Sequence, residues 1–67
     1  MTEFEYELAN DIASTMIAVN DSEMPHEAKI VCAAALYLFA WMGEEHKDLL
    51  KAGMSAILAH LIISRLR

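Results

Sequence analysis

From Phe4 onward, apolar residues recur every three or four places, at Phe4, Leu8, Ile12, Met16 and Val19. That spacing predicts one stripe of an α-helix. Tyr6, Ala9, Ala13 and Ile17 widen the stripe past half the circumference, leaving a polar arc of Glu3, Glu7, Asn10, Asp11 and Ser14. Thr2 and Glu5 have capping-box spacing, and the early glutamates suit the positive end of a helix dipole. A first helix is expected over residues 3–19, in contact with more than one neighbour. Asn20-Asp21-Ser22 reads as a turn, since each side chain can bond nearby backbone.

The next stretch is of a different kind. Ile30–Met42 is a run of thirteen residues with no charge, amide or hydroxyl apart from the Tyr37 phenol. Pro25 fits the first turn of a helix and Gly43 a C-cap, so a second helix is expected over residues 24–42. A helix that is apolar all round is buried on every side, which makes this one the centre of the fold. The run covers roughly 20 Å, against a bilayer core of about 30 Å, so a protein core is the better environment. Its least apolar sector, His26, Lys29, Ala33, Tyr37 and Ala40, is the edge expected to face water.

Gly43–Asp48 is the one strongly polar run of the second half, and it leads into a third helix over 44–66. Leu50, Met54, Ile57, Leu58 and Leu61 give that helix its own apolar stripe. Ile62 and Ile63 fall off the stripe. Gly53, Ala56 and His60 form an edge of mostly small residues that allows close approach of another helix. Arg65 and Arg67 place cations at the negative end of the dipole.

The pattern predicts an all-α fold: one domain over 1–67, a three-helix bundle around helix 2. Composition adds that 57% of the 67 residues are hydrophobic, above the usual 45–50%. A chain this short buries only about 60% of its unfolded surface. The apolar surplus predicts a homo-oligomer, with Gly53, Ala56, Ile62 and Ile63 as interface candidates.

Charge and chemistry narrow the function further. A net charge of −5 argues against a nucleic-acid surface, which carries a basic stripe. The single cysteine, Cys32, forms no internal disulfide and reads as a buried thiol. The acidic N-terminus lacks the pattern of a signal peptide, so a cytoplasmic protein is expected; Lys51 and His60 within the second apolar segment, and the shortness of both segments, argue against a membrane protein. His26, His46 and His60 are isolated rather than spaced as ligands, so neither metal nor cofactor is expected. No phosphate loop, nucleophile motif or carboxylate within an apolar face is visible, and the chain reads as a non-enzyme.

Tyr37 and Trp41 are i,i+4 neighbours of the type that anchors interfaces, although packing in the bundle core is their default reading. With Lys29, His26 and His60 they are the candidate contacts for a partner or ligand. Glu3, Glu7 and Asp11 form an acidic strip, a solvated face or a surface for a basic partner. The expected function is a small acidic, oligomeric protein that binds a larger protein as inhibitor, regulator or adaptor, of a type associated by analogy with phage or mobile elements. One alternative is an oligomeric binder of an anionic or nucleotide-like ligand between subunits, using Lys29, Lys51, Arg65 or Arg67 with Tyr37 or Trp41. The other is a membrane hairpin of 28–42 with 49–64.

Overall fold

The structure, a computed structural model, describes residues 1–66. Three α-helices follow one another, α1 (Glu3–Asp21), α2 (His26–Ala40) and α3 (Lys47–Arg65), with a 3₁₀ turn at Glu44–His46 leading into α3. The expected all-helical architecture is present, and no strand occurs among the described residues. α1 and α2 pack most extensively on each other, and α3 lies against both. The result is a short rod of 38 × 18 × 17 Å.

Local chemistry sets the helix ends. Thr2 caps α1: its Oγ1 accepts the Glu5 N–H at 3.1 Å, and its hydroxyl donates to the Glu5 carboxylate at 3.2 Å. The Thr2–Glu5 pair thus occupies the capping positions read from the sequence. α1 runs two residues past Val19 and stops where the Ser22 hydroxyl donates to the Val19 carbonyl at 2.7 Å and accepts the Met24 N–H at 3.4 Å. Pro25 is the N-cap of α2 rather than part of its first turn, so α2 begins at His26 and not at residue 24. It also ends early, at Ala40. The Trp41 and Met42 amides turn back to Leu38 and Phe39, a tightened last turn that satisfies those carbonyls. Gly43 is therefore not a left-handed C-cap; its backbone is extended and it caps the 3₁₀ turn.

The core is built from Val19, Met24, Cys32, Leu36, Ile57 and Leu61, with Ile12, Ala18, Ala28, Ala35, Phe39 and Met54 packed against it. Leu36 is 0% exposed and marks the centre. Two stripe assignments need correction. In α1 the buried position is Thr15 rather than Met16, because the Thr15 hydroxyl donates to the Asp11 carbonyl at 2.7 Å and so enters the core without an unmet hydrogen bond. In α3, Leu58 lies off the buried face formed by Leu50, Ile57 and Leu61.

The expected edge of α2 toward water is also only partly right. Lys29 and Ala33 are half-buried against α1, whereas Ile30, Val31, Leu38 and Trp41 are exposed. The chain's own helices cover α2 on one side alone. Along that covered side, Gly53 of α3 meets the tip of the Phe39 ring, and a Cβ at residue 53 would run into it.

Two measurements check this packing. Gly53→Ala should lower stability by up to about 2 kcal/mol in urea unfolding, the cost of overpacking the Phe39 ring less a gain of about 1 kcal/mol in helix propensity. Leu36→Ala should cost about 2–5 kcal/mol, whereas Leu38→Ala, at a position 60% exposed, should cost under about 1 kcal/mol in dilute samples.

Candidate interaction surface

The chemistry-bearing side chains do not converge on one site. Lys29 donates its ammonium to the Asn20 carbonyl at 2.8 Å. No cation stands in the last turn of α1, so Lys29 supplies from α2 the positive charge that the C-terminal end of α1 favours. It holds the α1–α2 turn together, a role hidden in the sequence because the two residues are nine apart. His26 begins α2 and is exposed. His60 lines a different groove, between α2 and α3, with Ala28, Val31 and Ala56. His46 Nε2 and Glu45 Oε1 approach to 3.7 Å on the exposed 3₁₀ turn, although a regular helix would have pointed them apart. Among the described residues no group of three or more histidine, cysteine or acidic side chains is placed to hold a metal ion.

The cations named for an anionic ligand are likewise dispersed. Lys29 lies in the α1–α2 groove and Lys51 in the α1–α3 groove. Arg65 ends α3, and Arg67 lies outside the described residues. Of the acidic strip, Glu7 and Asp11 share the α1–α3 groove with Lys47 and Lys51 on its opposite wall, so a large part of the strip's charge faces the chain's own lysines. Glu3 is exposed in the first turn of α1.

What does converge is apolar. Tyr37 and Trp41 pack edge to face, with ring centroids 6.1 Å apart and planes at 64°. They are 61% and 75% exposed, so the default reading that they fill the bundle core does not hold for the chain. Ile30, Val31, Ala34 and Leu38 are exposed beside them. At 100° per residue these six side chains fall in one sector spanning about 120° of α2. Glu27 is the single charged residue within that sector.

A second tract lies on α3. Leu58, Ile62 and Leu66 recur at four-residue spacing and are exposed. Leu58 borders the α1 side of the rod, whereas Ile63 borders the α2 side, in a groove with Met24, Pro25 and Ala28. Of the four interface candidates, Ala56, Ile62 and Ile63 are exposed, and Gly53 is half-buried against Phe39. Sequence reasoning missed Leu38 and Val31 as surface residues, because a run apolar on every side gives no phase to say which side the chain covers.

No helix among the described residues is long and apolar enough to cross a membrane. No family model, no curated protein and no solved structure matches the chain.

Cys32 is free and buried on the covered side of α2. A thiol reagent should therefore label it slowly in the folded protein and rapidly in denaturant; fast labelling of the folded protein would mean that the α2–α3 packing opens readily.

Proposed function

We propose that the chain is a non-enzymatic, self-associating helical module that binds a larger protein as inhibitor, regulator or adaptor. The observation that carries this reading is the amount of exposed apolar surface, which includes one tract along α2 and one along Leu58, Ile62 and Leu66 of α3, with Tyr6, Met16 and Ile17 of α1 exposed as well. Large contiguous apolar patches on a small chain mark interaction surfaces. Tyr and Trp with apolar bodies and polar tips are the residues that most often anchor them. Two tracts on different helices allow one contact with a copy of the chain and another with a different protein. The acidic net charge keeps such a surface away from nucleic acid.

The α3 tract gives the test. A photo-crosslinking residue in place of Ile62 should yield a discrete adduct with a larger protein in the native host. Leu58→Glu with Ile62→Glu should abolish the adduct formed from a crosslinker at Leu66, while changing unfolding free energy by no more than about 0.5 kcal/mol per site. Only self-adducts, or none, from crosslinkers at both Ile62 and Trp41 would remove the adaptor reading.

A further inference from the structure

We infer that the occupant of the α2 sector is a second copy of the chain, bound antiparallel about a two-fold axis that passes by Ala34. The inference rests on the reading of α2 as a protein-binding surface and names its partner. Area supports it first. The chain exposes 5087 Å² for a mass of 7.5 kDa, about 800 Å² more than a compact monomer of that mass. That excess equals one partner's share of a standard-size stable interface, about 800 Å².

The order of side chains supports it independently. α2 with its last turn runs from His26 to Met42, and Ala34 is the middle of that stretch. Around a two-fold axis at residue 34, Ile30 faces Leu38 of the copy and Val31 faces Tyr37. Glu27, the one acid of the sector, faces Trp41, whose indole N–H is a donor without an acceptor role. Ile30, Val31, Tyr37 and Leu38 thus each meet an apolar body, and the single carboxylate meets the Trp41 donor. Such self-complementarity is what an isologous contact requires. Alanine on the axis lets the two helices approach at the near end of the 8–10 Å interaxial range. A bulky residue there would hold them apart.

Two experiments test the inference. Sedimentation of the wild type at high micromolar concentration should give twice the 7.5 kDa chain mass, with Trp41 emission shifting to shorter wavelength as concentration rises. Leu38→Asp should halve the mass and leave the helical circular dichroism in place. The second experiment places a cysteine on the axis, Ala34→Cys with Cys32→Ser. Facing cysteines there come within disulfide range, so oxidation should join two chains at least about tenfold faster than in a Ser55→Cys, Cys32→Ser control, through the raised effective concentration.

A wild type that stays monomeric overturns the inference and removes self-association from the proposed function; adducts with a larger protein from Trp41 would then identify that protein as the occupant and leave the protein-binding part of that function standing. A dimer in which the Ala34→Cys variant crosslinks no faster than the Ser55→Cys control overturns the two-fold axis at Ala34. Should Leu38→Asp fail to fold, the crosslinking rates decide the matter alone.

Discussion

A helix can hide only as much of its circumference as its neighbours can reach, and α2 is apolar around almost all of it. In this chain the neighbours reach the sector of Ala28, Cys32, Ala35, Leu36 and Phe39. α1 and α3 do not reach the opposite sector, where Ile30, Val31, Leu38 and Trp41 stay exposed. Everything else about the molecule follows from that geometry. The core is small, with Leu36 the one side chain among the described residues wholly removed from solvent, and Ile30, Val31, Tyr37 and Leu38 of α2 stand outside it.

Small residues and well-placed polar ones make the limited core workable. Gly53 lets α3 come down onto the Phe39 ring, and no larger residue could do so at the same distance. Thr15 takes the buried place that the stripe assigns to its neighbour Met16, and it does so with its hydroxyl already bonded to the Asp11 carbonyl. Lys29 reaches back across the turn to a carbonyl of α1, where the unpaired end of the helix favours a cation. Each device shortens a distance or satisfies a group that would otherwise oppose packing.

The number, order and approximate limits of the helices were legible in the sequence, because period and capping are local properties. Thr2 with Glu5 and the Leu50–Ile57–Leu61 spacing each carry their own meaning, whereas Asn20 and Asp21, read as a turn, complete the last turn of α1 and the break falls at Ser22. The phase of α2 was not legible. A wheel with polar residues on one side states which side is dry, but Ile30–Met42 offers no such contrast, and its orientation follows from its packing on α1 and α3, the Gly53–Phe39 contact included. The same reason hid the site. Tyr37 and Trp41 were recognisable as anchors by type, whereas their exposure, and that of Leu38 and Val31, depends on tertiary packing. The Lys29–Asn20 contact and the placing of Lys47 and Lys51 opposite Glu7 and Asp11 are likewise products of the fold.

The glycine at position 53 has a consequence for the order of assembly. A chain leaves the ribosome N-terminus first, so α1 and α2 can pair while α3 is still unmade. At that moment both flanks of α2 are bare, and hydrophobicity alone does not tell a second nascent hairpin which flank to take. Shape does. The flank carrying the Phe39 ring is closed to any helix that lacks a gap at the matching point, and α3 brings that gap with it. The absence of one methyl group therefore acts as a key that reserves one side of α2 for the chain's own last helix and leaves the other side bare.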